Sequence, residues 1–341
     1  ATWATDGLLA LFFFVVGLEL KRELVIGELS TKSQAMLPVA AALGGMIVPA
    51  LLALLVGWGS PGIDEAWAIP VATDIAFALG VLAVAGSALP VSARVFLLGL
   101  TVADDLGGII VIAVLFSSGL NALWLGAVVL ACGAYWGLQR MRVRASWLYV
   151  PLGVFTWFAV HEAGIHATIA GVLLGMLTRV KADPDEEFAP ALRLEHRLQP
   201  WSAGFCVPVF ALFAAGVPIG AEALRAVFVE PVALGVMVGL LVGKIIGIFG
   251  FCWLVIRLTP ASRPRGLSWR DLAAVAMLGG VGFTVSLLIA ELALADHPDL
   301  LETAKAAILL ASAAASLIGA AMLIRRGRVR AREIGDDAAT A

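Results

Sequence analysis

The sequence predicts an all-α polytopic membrane protein, and three observations carry that expectation. Of its 341 residues, 61% are hydrophobic and 14% charged, far from the balance of a water-soluble domain. The apolar residues fall in eleven runs separated by short polar breaks, and about 20 apolar residues cross a bilayer as a helix. Lys and Arg gather on alternate breaks, as they do where loops face the cytoplasm.

The runs are residues 4 to 20, 35 to 57, 66 to 86, 91 to 117, 121 to 139, 146 to 161, 164 to 178, 199 to 216, 231 to 256, 270 to 294 and 302 to 324. Only the polar stretch near His161 to Gly164 separates the sixth from the seventh, so they read as a tight helical hairpin or one poorly broken run. Of the 23 Lys and Arg residues, 20 lie on one set of alternate loops, including Arg140, Arg142 and Arg144. The opposite set holds Arg225 and Lys305, and Lys244 lies inside a span. That asymmetry predicts a cytoplasmic C-terminus. With eleven crossings the N-terminus falls outside; residues 1–6 carry no basic export signal, so a further upstream span, twelve in all, is expected. The domain reading is a transmembrane unit over residues 1–324 and a solvated cytoplasmic tail, basic then acidic, over residues 325–341. Pro-Asp-Glu at 184 to 186, in the loop from 179 to 198, is a candidate division between two helical bundles.

Composition also excludes some classes. A net charge of −2 gives no general attraction to nucleic acid. Cys132, Cys206 and Cys252 sit in apolar runs without ligand-like spacing, so neither a disulfide framework nor a zinc site is expected.

An ionisable group at mid-membrane costs about 2.5 to 3.5 kcal/mol, so it persists where it lines a water-filled path or meets a partner. Asp104 and Asp105 lie halfway along the run from 91 to 117, between Leu97-Leu98-Gly99-Leu100 and Gly107-Gly108-Ile109-Ile110. Helix neighbours point about 100° apart, so one carboxylate can face a substrate path and the other a packed partner. The plainer reading is a buried ion-pair brace, which needs only one aspartate. Asp74 follows Pro70 and Thr73 within a span. Proline interrupts the helical ladder and Thr and Asp cap helices, which predicts a mid-membrane break with Asp74 starting the second half. A plain cap that never touches an ion explains the same residues. A second break is expected at Leu278-Gly279-Gly280-Val281-Gly282-Phe283-Thr284, although glycine also serves close helix packing. Two interrupted segments, one in each half of the chain, are the pattern of an inverted-repeat transporter. Lys244 stands alone between Gly243 and Gly247 in an apolar run and needs an anion, Asp104 or Asp105. That pair couples ion binding to proton release, or it is a permanent salt bridge.

These residues resemble the NhaA-type bacterial sodium/proton antiporters from Leu8 to about Arg326. The densest pieces are FFVVGLELKREL (Phe13 to Leu24), GGMIVPALL (Gly44 to Leu52), AWAIPVATDIAFALGVL (Ala66 to Leu82), ADDLGGIIVI (Ala103 to Ile112), GIHATIAG (Gly164 to Gly171), RLEH (Arg193 to His196) and GVGFTVS (Gly280 to Ser286). The resemblance implies NhaA-like inverted repeats with two discontinuous crossing helices. It makes Asp104 and Asp105 the ion-binding, proton-carrying pair, with Na⁺ at Asp104, Asp105 and Thr73. Thr73 and Asp74 match the first crossing, and Gly280, Gly282 and Thr284 the second. Lys244 matches a membrane lysine, though the usual Gly-Lys-Pro-Leu-Gly is here Gly-Lys-Ile-Ile-Gly. Glu19, Glu23, Arg193, Glu195 and His196 match a cytoplasmic cluster tied to pH response, as does His166 elsewhere; Gln199 stands where a second histidine occurs. A solvated interface explains these peripheral groups equally well. The family's N-terminal segment supplies a first helix and a dimerisation hairpin, so a homodimer in the membrane lipid is an expectation.

The expected activity is exchange of cytoplasmic Na⁺ or Li⁺ for external H⁺ across the bacterial inner membrane by alternating access, electrogenic and pH-regulated, with no enzyme activity and no cofactor. An organic-anion symporter of a related broken-helix fold would want basic residues at the crossing, whereas this crossing is acidic. An intramembrane aspartic protease needs carboxyls from separate helices, and a channel would leak regardless of the proton gradient.

Overall fold

The computed structural model describes residues 2–117, 119–143, 145–184, 186–216 and 220–340. Ala1, Arg144 and Asp185, used in the sequence reading, fall outside them. Among the described residues the regular structure is helical throughout, with no strand, because lipid cannot satisfy an open backbone and helices satisfy their own.

The helices in chain order are α1 (Thr2–Val25), α2 (Lys32–Val56), α3 (Ile63–Ala66), α4 (Ile75–Ala85), α5 (Val91–Leu115), α6 (Ala122–Arg140), α7 (Ser146–Glu162) and α8 (Thr168–Leu177). There follow α9 (Pro190–Trp201), α10 (Val207–Ala214), α11 (Ala221–Val229), α12 (Pro231–Val238), α13 (Lys244–Leu258), α14 (Trp269–Leu278), α15 (Phe283–Ala293) and α16 (Pro298–Thr340). Wider π turns at Ser202–Cys206 and Gly239–Gly243 link α9 to α10 and α12 to α13.

Six segments among the described residues are long and apolar enough to cross a bilayer: 34–56, 63–85, 91–115, 122–140, 231–258 and 298–332. The pair α14 and α15 makes a seventh, bent by 47° at its break. The expected runs at 4 to 20, 146 to 161, 164 to 178 and 199 to 216 lie in α1, α7, α8 and the α9–α10 stretch. Charged Glu19, Lys21, Arg22 and Glu23 end α1, while α7 and α8 have only 17 and 10 residues. The basic stretch after residue 324 continues α16 as helix.

The chain divides into two compact units, Ala1–Ser30 with Ile109–Ala214, and Thr31–Gly108 with Ala215–Ala341. In the first, α1 lies against α8 at backbone distance: a Cβ on Gly175 would stand 2.6 Å from the Phe14 carbonyl oxygen, so only glycine permits the approach. In the second, α13 crosses α2 where a side chain on Gly247 would collide with the Gly44 carbonyl. The core of that unit surrounds α14, whose Leu272, Val275 and Leu278 meet Leu37 and Ala41 of α2, Leu82 of α4, Leu97 and Leu100 of α5, and Ile248 of α13.

Candidate ion-binding site

The first break forms as the residues dictate. Pro70 sits in a single 3₁₀ turn, Ile69–Val71, after which Ala72 (φ −90°, ψ 152°) and Asp74 (φ −82°, ψ 104°) are extended. Asp74 then caps α4, its Oδ1 accepting the Phe77 amide at 3.1 Å, the ordinary work of an N-cap aspartate. The second break spans Gly279 to Gly282, between α14 and α15. A Cβ on Gly280 would stand 2.5 Å from the Leu240 carbonyl oxygen, so that glycine lets α15 begin against the π turn.

The two breaks interlock. The Asp74 amide donates to the Val281 carbonyl at 2.6 Å, the Thr73 hydroxyl to the Gly279 carbonyl at 2.9 Å, and the Ser286 hydroxyl to the Ile69 carbonyl at 2.8 Å. Asp74 Oδ2 accepts the Thr284 hydroxyl at 2.5 Å and the Thr284 amide at 3.2 Å. One buried carboxylate therefore serves the N-termini of both α4 and α15, whose dipoles each favour negative charge there. Gly282 precedes α15, and the hydroxyl of Ser312 on α16 accepts the Phe283 amide at 3.1 Å.

Beside this crossing lies the charged pair. Lys244 is fully buried and its ammonium donates to the Val71 carbonyl at 2.5 Å, Thr73 Oγ1 at 2.9 Å and Asp104 Oδ2 at 2.8 Å. An ammonium has three protons, and each has an acceptor. Of the two partners the sequence left open for Lys244, Asp104 makes the salt bridge. Asp104 Oδ1 is buried and has no hydrogen-bond partner among the described residues, an exception to the pairing that buried polar atoms normally find. Asp105, next along α5, is also buried. The π turn immediately before Lys244 sets the register from which its side chain reaches the crossing, a use that π turns often have.

The pH-response candidates divide. In the first unit Arg22 gathers three carboxylates, Glu195 at 2.6 Å, Glu23 at 3.2 Å and Glu19 at 3.9 Å. Burial pushes the Glu195 carboxyl above its ordinary range, while Arg22 and His196 pull it down. His196 meets the Phe188 ring edge-on at 6.5 Å. Arg193 reaches Glu186 at 3.9 Å, and His166 bonds Thr168 Oγ1 at 2.8 Å. Arg22 is not among the candidate residues read from the sequence, yet its spacing of three from Glu19 is a signal of an ion pair on one helix face. The Val71 carbonyl and Ser312 have no sequence signal, and Ser286 enters the sequence reading only as the last residue of GVGFTVS. Asp271 was missed as well; it is held by Arg326 and Arg330.

Interlocked helix breaks and a buried carboxylate–lysine pair in an apolar helical body define a multi-pass membrane ion carrier rather than an enzyme. The family described as Na⁺/H⁺ antiporter 1 matches residues 1–323, and the chain belongs to that family. It is 64% identical over 326 residues to a protein of Saccharopolyspora erythraea named Na⁺/H⁺ antiporter NhaA 1, covering 96% of this chain and 79% of that one. The Na⁺/H⁺ antiporter NhaA of Nocardia farcinica is 61% identical over 329 residues, with coverage of 96% and 79%. Na⁺/H⁺ antiporter NhaA 2 of Rhodococcus jostii is 58% identical over 337 residues, with coverage of 98% and 82%.

Proposed function

We propose that this chain exchanges Na⁺ or Li⁺ for H⁺ and that Asp104 and Asp105 form the site where cation and proton bind in turn. The observation that carries the reading is Oδ1 of Asp104, which has no hydrogen-bond partner among the described residues, beside a lysine already bonded to the other oxygen. A metal ion is the partner that suits a dry carboxylate oxygen with no donor. The Thr73 hydroxyl accepts from Lys244 and donates to Gly279, which leaves one lone pair for Na⁺.

The charge balance of these groups supports electrogenic exchange. With the cation absent, Asp105 carries a proton and Lys244 stays charged against Asp104. Na⁺ arriving at the two carboxylates takes the Asp105 proton's place and draws Asp104 away from Lys244. An ammonium stripped of its counter-ion in a dry site gives up a proton, so two protons leave for one Na⁺. Each cycle then moves one net charge, and the membrane potential, worth about 2.3 kcal/mol per charge per 100 mV, drives Na⁺ out of the cell. Protons reload the site from the opposite side after the carrier switches its access. Among the described residues Lys244 is the basic group bonded at the crossing, and its three bonds commit it, which disfavours an organic anion as cargo.

The remaining assignments follow the same reading. Eleven crossings over residues 1–324, a cytoplasmic end from residue 325, residence in the bacterial inner membrane and assembly as a homodimer are proposed with it. The cluster of Glu19, Arg22, Glu23 and Glu195, with His196, Arg193 and His166, is proposed to make exchange pH-dependent.

The test is Na⁺-induced proton movement in proteoliposomes containing the purified chain. Asp105→Asn should abolish it. Normal exchange by that variant refutes the site.

A further inference from the structure

Asp271 stands at the end of α14 remote from the break, and no atom of it meets solvent. Its Oδ2 accepts the Ser268 amide at 2.8 Å and the Ser268 hydroxyl at 2.7 Å, completing a capping box. Two arginines of α16 reach the same carboxylate: Arg326 Nε donates to Oδ1 at 2.8 Å and an Arg330 amino group to Oδ2 at 2.6 Å. Arg330 also donates to the Gly266 carbonyl, just before the cap. A capping box alone needs no arginine. Separate guanidinium groups on the two oxygens fix the carboxylate in both position and rotation.

The other end of α14 is the crossing. Its ten residues form a rod about 15 Å long at about 1.5 Å per residue. From Asp271 to Gly280 every residue but Ala273 is buried, so the rod lies in a close-packed bed that transmits displacement instead of absorbing it. The carbonyls just beyond its end, Gly279 and Val281, hold the Thr73 hydroxyl and the Asp74 amide, and Thr73 in turn accepts from Lys244. An axial slip of about 1 Å takes a bond of ordinary length beyond hydrogen-bonding range.

We propose that Asp271 is a positioning residue for ion binding: clamped by Arg326 and Arg330, it sets the axial position of α14 and so holds Thr73, Asp74 and Lys244 in their binding geometry. The proposal rests on the reading that Asp104 and Asp105 beside this crossing bind the ion.

Kinetics of the reconstituted full chain test it, with Na⁺-driven proton flux measured against Na⁺ concentration. Asp271→Asn and Arg326→Gln should each raise the KM for Na⁺ about fivefold or more while the maximal rate per folded molecule stays within about twofold, the pattern of lost ground-state binding. A brace that serves folding alone lowers the amount of active protein and leaves KM unchanged, and an unchanged KM overturns the proposal. Should Asp271→Asn fail to fold, Arg330→Gln, at a partly exposed clamp residue, decides by the same split between KM and rate. Asp105→Asn run in parallel separates the two ideas: normal exchange there removes the ion site, whereas loss of exchange there with unchanged KM in the Asp271 and arginine variants removes only the clamp.

Discussion

Replacing Thr284 by Val removes one hydroxyl with little change of shape, and with it the shortest hydrogen bond that Asp74 receives, 2.5 Å from Thr284 Oγ1 to Oδ2. Asp74 keeps the Thr284 amide at 3.2 Å and the Phe77 amide at 3.1 Å, so the carboxylate stays capped but less firmly. A hydrogen bond to a charged group contributes about 1.5 to 3 kcal/mol. At about 1.4 kcal/mol per tenfold change, local opening of the crossing should become roughly ten- to a hundredfold more frequent. Amide hydrogen exchange followed by mass spectrometry on peptides covering residues 72–80 and 280–288 reads that opening directly. Those peptides should exchange faster in Thr284→Val by a comparable factor, while peptides of α6 remain unchanged. Thr284→Ser keeps the hydroxyl and should follow the parent protein. If the Val variant protects both peptides as well as the parent does, the shared carboxylate is not what ties the breaks together.

Three further outcomes are expected. Lys244→Met leaves Asp104 buried without its cation; breaking a buried pair this way costs about 3 to 5 kcal/mol, so thermal unfolding in detergent should move well down, and the double variant with Asp104→Asn should recover much of the loss. Gly247→Leu should abolish folded protein in the membrane, since any side chain there meets the Gly44 carbonyl, whereas Gly250→Ala, with open space around it, should accumulate normally. Because burial holds the Glu195 carboxyl above its ordinary range, its share of stability is present at low pH and is lost as pH rises through the raised value. Glu195→Gln should therefore lose less thermal stability than the parent as pH rises above the ordinary carboxylate range, and equal losses in both proteins refute this.

Much of the site was legible because membrane burial makes polar residues conspicuous. Pro70 and Asp74 announced the first break and Gly279-Gly280 the second, since proline, capping residues and paired glycines act locally on the backbone. The contacts that join the breaks were not legible: Thr73 meets Gly279, and Asp74 meets Thr284, across more than 200 residues of chain. Asp104 and Asp105 were equal candidates for Lys244 because adjacent helix positions fix an angle between side chains but not which one faces a given neighbour. Asp271 passed unnoticed because an acid three residues into a helix reads as an ordinary cap, and its arginines were absorbed into the basic C-terminal stretch. The span count shows the same division. Long uniform runs became single helices, while the short halves α8, α14 and α15 draw their stability from neighbours that a linear reading does not see.

The backbone contact of α2 with α13 bears on how this protein can be instrumented. Where carbonyl meets Cα there is no side chain to step aside, so a spectroscopic label or engineered cysteine at Gly44 or Gly247 would wedge the helices apart and report on its own damage. Gly126, Gly133 and Gly250 face open space, and reporters placed there would leave the lysine of the neighbouring turn where the chain put it.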